Sequence, residues 1–354
     1  PIVEPPVEEP PIVEPPVEEP PIVEPPVEIP PSMDAFFVSP EGNDDNAGTL
    51  AAPFQTITRA RDAVREVNDD MSGDINVYLR GGNYSISDTI EFTAEDSGTN
   101  GHSINYQSYN GEEPVLNGAT QVGGWTQHSG DIYSATLDRS EKLRTLIVDD
   151  ERAYMANRTI NPDGAWGTYE ITAGQADWAR IGGSEDDGTR YRLSDLPSVS
   201  NAEDIEIMGF TTWNSHIVTV REASVEGSSM ILKFSQPYAA IALNSAFGAF
   251  TASNGTHTLW NAFEFLDSPG EFYFDRSENT LYYYSDGEDM SNVEVFAPRT
   301  AVLMNLEGSS KENRIENVTF SGITFGYTEA TLPEVAGSAG KSTVQAATFK
   351  LALA

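Results

Sequence analysis

Hydrophobic and polar residues alternate along this chain in short bursts. Ile75, Val77 and Leu79 alternate before Gly81-Gly82, then Tyr84-Ser85-Ile86 follows, and Ile90-Glu91-Phe92, Ile104-Asn105-Tyr106 and Val115-Leu116 come at irregular intervals. A period of two puts side chains two apart on one face, so each burst predicts a short strand with one face turned inward. Residues 315–325, Ile-Glu-Asn-Val-Thr-Phe-Ser-Gly-Ile-Thr-Phe, condense the pattern. Val318 to Phe320 and Ile323 to Phe325 meet at Ser321-Gly322, which sends Val318, Phe320, Ile323 and Phe325 into one core and Thr319 and Thr324 outward. A parallel β-helix turns in this way. A tight corner between antiparallel strands is the other reading of the same residues.

The rest of the chain favours the β-helix. After the strand Phe36-Phe37-Val38 the period lengthens to that of a helix from about Pro53 to Val67, where Ile57, Ala60, Ala63, Val64 and Val67 share one face and Pro53 suits an early helical position. One amphipathic helix ahead of many short strands is the arrangement that covers the open end of a coil. Between about Gly123 and Asn292 the strands are longer: Leu146 to Val148, His216 to Val220, Met230 to Phe234, and a hairpin of Glu271 to Phe274 with Thr280 to Tyr284. These predict antiparallel strands of a sandwich or barrel. After Val293-Glu294-Val295 the short bursts return. The expected fold class is therefore all-β: a parallel β-helix with an N-terminal capping α-helix, interrupted by an antiparallel β-sandwich or barrel insertion. The expected division is a linker over 1–32, the cap and first coils over 33–122, the insertion over 123–292 and resumed, incomplete coils over 293–354.

The first thirty residues are three near-copies of Pro-Ile-Val-Glu-Pro-Pro-Val-Glu-Glu-Pro. Proline fixes φ and removes donors, and unpaired glutamates repel one another, so this segment reads as an extended polyproline II stalk. As a ligand for a proline-binding domain it would lack the usual basic anchor. The whole chain carries 20 basic and 55 acidic residues, a formal charge of −35. With no basic cluster, nucleic acid is excluded as an expected partner, and an anionic membrane is disfavoured for the same reason. There is no cysteine, which removes disulfides, thiolate metal sites and cysteine nucleophiles. No apolar run reaches transmembrane length, so no direct membrane insertion is expected. The sequence starts at Pro1 rather than methionine. A signal or lipid anchor ahead of a rigid acidic stalk makes an extracellular or cell-surface monomer the expected setting.

Several stretches together resemble the pectin-lyase-like right-handed β-helix proteins, and most closely glycoside hydrolase family 141. They are Phe36-Phe37-Val38-Ser39-Pro40-Glu41-Gly42-Asn43, Gly48-Thr49-Leu50-Ala51-Ala52-Pro53-Phe54, Ala60-Arg61-Asp62-Ala63-Val64-Arg65, Val77-Tyr78-Leu79-Arg80-Gly81-Gly82-Asn83-Tyr84, Asp275-Arg276-Ser277-Glu278-Asn279-Thr280-Leu281-Tyr282-Tyr283 and Val318-Thr319-Phe320-Ser321-Gly322-Ile323-Thr324-Phe325. The resemblance runs from about Ala35 to Phe349 and implies a right-handed coil. It also implies a secreted or surface enzyme that hydrolyses glycosidic bonds in a complex polysaccharide, such as a fucoside or xylan, through acidic residues on the β-helix. Family members are longer, so a break within the coils is expected near Phe349 to Ala354, with fraying after about Phe325 and the catalytic acids on later coils.

Glycoside hydrolysis needs two carboxyl groups across the scissile bond. Glu329, just past the Ile323-Thr324-Phe325 rung, is the candidate catalytic acid, against the plainer reading of a solvated loop glutamate. Trp213 and His216 are candidate substrate contacts, since aromatic rings stack on sugars, although a core or interdomain position is the plainer reading of Trp213. Tyr327 and Gln345 flank the loop Gly337-Ser338-Ala339-Gly340 and are candidate cleft residues. Four scattered histidines make no zinc set. No cofactor is expected, with calcium open in the acidic turn Glu41 to Asp45, which lacks EF-hand spacing. The partner expected is a polysaccharide. A polysaccharide lyase on the same scaffold, with an arginine or lysine base, and a non-enzymatic glycan-binding module remain alternatives.

Overall fold

In the computed structural model, residues 35–166, 186–210, 215–235, 243, 255–329, 338–339 and 349–352 are described, all within the compact unit Asp34–Ala354. Three parallel sheets form the coil. The first holds Ala35–Val38, Ile75–Leu79, Ile104–Ser108 and Val318–Ser321; the second Gly82–Ser85, Pro114–Asn117 and Thr324–Gly326; the third Ile90–Phe92, Met304–Glu307 and Phe349–Ala352. The chain visits the three in turn, as a parallel β-helix must.

The alternation does what it promises. Val77, Leu79, Phe92, Ile104, Tyr106 and Leu116 are buried in one core, and Val318, Phe320, Ile323 and Phe325 of the last coil pack against it half-covered. Tyr106 stacks on Phe320 at 5.1 Å between centroids, with Phe92 edge-on to both. Each such buried side chain contributes about 1.5–3 kcal/mol. At the corner Gly322 has φ +66, and a Cβ there would run into Ser108 Oγ. Only glycine takes that turn without strain.

The capping helix is shorter than the sequence period indicates: it runs Ile57–Arg65, with Thr56 as N-cap accepting from the Arg59 amide. Pro53 and Phe54 are extended instead. Phe54 N–H donates to Phe37 O, Ser39 N–H to Phe54 O and Asn43 N–H to Pro53 O, so this segment lines the first strand rather than starting the helix. Val67 falls past the helix end and is 50% exposed, while Ile57, Ala60, Ala63 and Val64 are buried against the first coils. Asp44, in the acidic turn, accepts from the amides of Gln55 and Thr56 at 2.8 Å each and braces the helix start.

The antiparallel insertion leaves after Pro114–Asn117 and returns before Met304–Glu307, between the second and third sheets of a single coil. A first inserted sheet orders Glu151–Arg152, Ile147–Val148, Val295–Pro298 and Ala119–Gln121. Antiparallel pairing therefore starts a few residues before Gly123 and runs a few beyond Asn292. The expected hairpin pairs Glu271–Asp275 with Thr280–Tyr284, and Ile132–Thr136 and Thr126–Ser129 extend it. A larger sheet includes Asn157–Ile160, His257–Trp260, Glu206–Phe210, Ser215–Glu226, Ser229–Phe234 and Gly188–Arg192. The hairpin lies between two cores: Phe272, Phe274 and Leu281 face one and Tyr273 the other, a direct result of its period of two.

Candidate functional site

The seam between coil and insertion is built on Gly118. Its carbonyl accepts from the amides of Arg299 at 2.8 Å and Thr300 at 2.9 Å, and its own amide donates to Gly326 O at 3.3 Å. A Cβ at this position would lie 2.8 Å from Leu303 Cδ2. The loop leaving Thr324–Gly326 runs along this seam and carries two of the expected site residues.

Tyr327 sits at φ +56, its ring edge-on to Phe296 at 5.4 Å, and its hydroxyl donates to Asp150 Oδ1. The neighbouring carboxylate, with partial burial, pushes the phenol up to about 12. Glu329 follows, its amide donating to Thr300 O at 3.1 Å and its Oε2 accepting from Arg139 Nη2 at 2.9 Å. The same guanidinium donates to the carbonyls of Pro298, Lys142 and Glu141. Glu329 is 5% exposed. It is not the solvated loop glutamate of the plainer reading: its carboxylate faces a guanidinium inside the seam, and a glycan reaches it only if the seam opens.

His216 stands on a strand of the larger inserted sheet. It is buried in Ser215–Glu226, opposite Gly209 on one side and Ala339 of the short strand Ser338–Ala339 on the other. Trp213 and Gln345 lie outside the described residues.

Acids open to solvent gather instead on the outer face of the third sheet. Ile90, Phe92, Met304 and Leu306 point into the core, which turns Glu91, Asn305 and Glu307 outward. Glu91 and Asn305 are register partners, and Lys350 occupies the position beside Asn305 on the next strand. Asn305 Nδ2 donates to Glu91 Oε2 at 2.7 Å and approaches Glu307 Oε2 at 3.5 Å. One amide thus bridges the two carboxylates, whose bonded oxygens lie no more than about 6 Å apart. An adjoining groove of about 720 Å³ is lined by Thr93, Glu95, Glu307, Ser309 and Asn313 among others. The Thr93 end of the groove is tied down: Arg65 makes two 2.7 Å bonds to the buried Asp96 carboxylate, which in turn accepts from the Thr93 amide. Sequence reasoning missed this group because Glu91 and Asn305 are 214 positions apart. The only available signal was that both stand at outward positions of short rungs, and only the pairing of those rungs brings them together.

Comparison with known proteins agrees with this architecture. Residues 36–149 match the family profile described as Pel9A-like, right handed beta helix region, and residues 183–286 match that of the GH141 insertion domain. The chain therefore combines a right-handed β-helix region with a GH141-type insertion. It is 32% identical over 146 residues to pectate lyase PEL9 of Emericella nidulans, an alignment that takes in 41% of this chain and 32% of that protein. It is 32% identical over 87 residues to the uncharacterized protein YwoF of Bacillus subtilis, covering 25% of this chain and 16% of that one. A solved structure titled glycoside hydrolase superposes with a TM-score of 0.70 at 25% identity, over 86% of this chain and 52% of its own. The chain thus spans about a third of the pectate lyase and about half of the glycoside hydrolase. Among the described residues no helix is long and apolar enough to cross a membrane.

Proposed function

We propose that these residues supply the first coils and the insertion of an exported glycoside hydrolase that acts on a complex polysaccharide of fucoside or xylan type, at the extracellular face or cell surface. The observation that carries this reading is the pair Glu91 and Glu307 on the shared Asn305 amide, beside an open groove. One carboxyl group protonates the departing glycosidic oxygen. The other attacks the anomeric carbon, and water then releases the sugar from the glycosyl ester. Separations of about 5–5.5 Å belong to retaining enzymes and about 6.5–9.5 Å to inverting ones, so a bound near 6 Å favours retention. Asn305 holds the two side chains in place and is a positioning residue.

A lyase is the second reading, favoured by the Pel9A-like match over residues 36–149 and by the presence of a lysine, Lys350, at the register position beside Asn305. Against it, Glu91, Glu95 and Glu307 repel a uronate at the groove. The test is reducing-end release from fucosylated and xylan-type polysaccharides, with absorbance in the unsaturated-product band read in the same wells. Reducing ends without absorbance, lost by at least about a hundredfold in Glu91→Gln and Glu307→Gln, are the expected result. Absorbance that disappears in Lys350→Met would establish the lyase. Full activity in both glutamine variants would remove the proposed pair.

A further inference from the structure

The outer face of the first sheet has a chemistry that the groove does not use. Strict register lines its outward residues in two rows across the coils. One row is Asn76, Asn105 and Thr319; the other is Phe37, itself covered by its aromatic neighbours, then Tyr78, Gln107 and Ser321. On a chain of formal charge −35 none of these seven positions is charged.

The rows are ordered by their own hydrogen bonds. Asn76 Oδ1 accepts from Asn105 Nδ2 at 3.2 Å and Gln107 Nε2 at 3.0 Å, and Thr319 Oγ1 donates to Asn105 Oδ1 at 2.6 Å. These bonds fix the amides and leave Asn76 Nδ2, Gln107 Oε1 and the Ser321 hydroxyl facing solvent as donors and acceptors. At one end Phe37 stacks on Tyr78 at 5.3 Å, Tyr109 closes edge-on against both, and Arg80 lies over the Tyr109 ring, held by Glu112. Among the described residues, charges stand at the rim, in Asp74 and the Arg314–Glu316 pair at one side and the Arg80–Glu112 pair at the other.

We propose that this face is a non-catalytic binding surface for a linear, uncharged polysaccharide lying along the helix axis. Polar groups recur once per coil, at about 4.8 Å, a spacing close to the length of one pyranose unit, so successive sugars meet equivalent groups. Ordered amides present hydroxyl-binding groups without a desolvated charge, and the tyrosines provide ring faces at one end. Charge selects the occupant. A second copy of this chain, or an acidic glycan, would bring negative charge against a strongly negative protein. The inference rests on the carbohydrate-active reading above, but it concerns a different sheet and is read by binding rather than by cleavage.

Affinity electrophoresis of the whole chain in gels containing arabinoxylan, mixed-linkage β-glucan or polygalacturonate tests it. Retardation by a neutral glycan and not by polygalacturonate is expected, weakened about tenfold in Tyr78→Ala, Gln107→Glu and Ser321→Asp. Ser321→Asp adds a charge without touching the amide ladder, so it reports on the face even if Gln107→Glu disturbs the fold. Wild-type affinity in folded Ser321→Asp and Gln107→Glu, retardation by polygalacturonate alone, or a dimer that Ser321→Asp dissociates would each overturn the proposal. Loss of cleavage in Glu91→Gln and Glu307→Gln with binding intact would leave both readings standing. Cleavage with no retardation by any neutral glycan would sink this one alone.

Discussion

The Tyr327 hydroxyl donates to Asp150 across the seam, tying the loop of the last described coil to the inserted domain. Because the folded state holds this phenol protonated up to about pH 12 against an ordinary value near 10, its stabilising share is complete below pH 10 and is lost as pH rises from 10 towards 12. Tyr327→Phe should cost about 1 kcal/mol at neutral pH. The difference between wild type and variant in urea unfolding should shrink between pH 10 and 12. A difference that stays constant over that range would contradict the assignment.

Acid should act through a different residue. His257 is fully buried, its Nδ1 2.8 Å from the Tyr191 hydroxyl, and burial lowers its pKa to about 4. The unfolded chain binds that proton near pH 6.5, so the stability tied to neutral His257 is present above 6.5 and lost as pH falls to 4. The loss amounts to about 3 kcal/mol. Thermal melts between pH 7 and 4 should show the wild type falling more steeply than His257→Phe, which starts lower but has no proton to take up there.

Glu329 separates structure from catalysis. It forms a buried ion pair with Arg139, whose remaining donors hold three backbone carbonyls. Removing one partner of a buried pair costs about 3–5 kcal/mol. Arg139→Ala should therefore lower the melting temperature sharply, and Glu329→Gln should do so to a lesser degree. At a temperature where Glu329→Gln remains folded, its cleavage rate should match wild type. A thousandfold loss of rate in a folded Glu329→Gln, measured at saturating substrate, would return Glu329 to the catalytic site.

The Ser321-Gly322 corner makes a sharper claim about a single atom. Gly322→Ala meets both a positive φ and Ser108 Oγ, so destabilisation of about 1–3 kcal/mol is expected. The double variant Gly322→Ala, Ser108→Gly should recover the part due to the clash and not the part due to φ. Chemical denaturation of the two variants side by side measures the split.

Much of the coil is legible in the sequence because its determinants are local. Val77 and Leu79, Ile104 and Tyr106, and Val318 and Phe320 each declare a buried face within three residues, and Gly322 declares the corner. The helix start was not legible: Pro53 suits an early helical position, but the backbone groups of Pro53 and Phe54 are taken by Phe37, Ser39 and Asn43, a tertiary pairing that overrides it. Neither was the meeting of Glu91, Asn305 and Glu307, since strand pairing between distant rungs has no short-range signature. The clasp of Glu329 by Arg139 was hidden for the same reason, and a loop glutamate reads alike whether it faces water or a guanidinium.

The placing of the insertion within one coil has a kinetic consequence. Met304–Glu307 can pair with Ile90–Phe92 only after some two hundred intervening residues have been made, so the third sheet is the last part of the early coils to close. Were those residues a random loop, closing it would be slow and the bare edge of Ile90–Phe92 would be exposed to misassociation. Once the insertion has folded, Gly118 and Thr300 stand hydrogen-bonded at 2.9 Å, and the loop to be closed shrinks from some two hundred residues to about thirty. The insertion then works as an internal chaperone for the coil that interrupts itself to hold it, and refolding of the third sheet should keep pace with the insertion rather than with the first sheet.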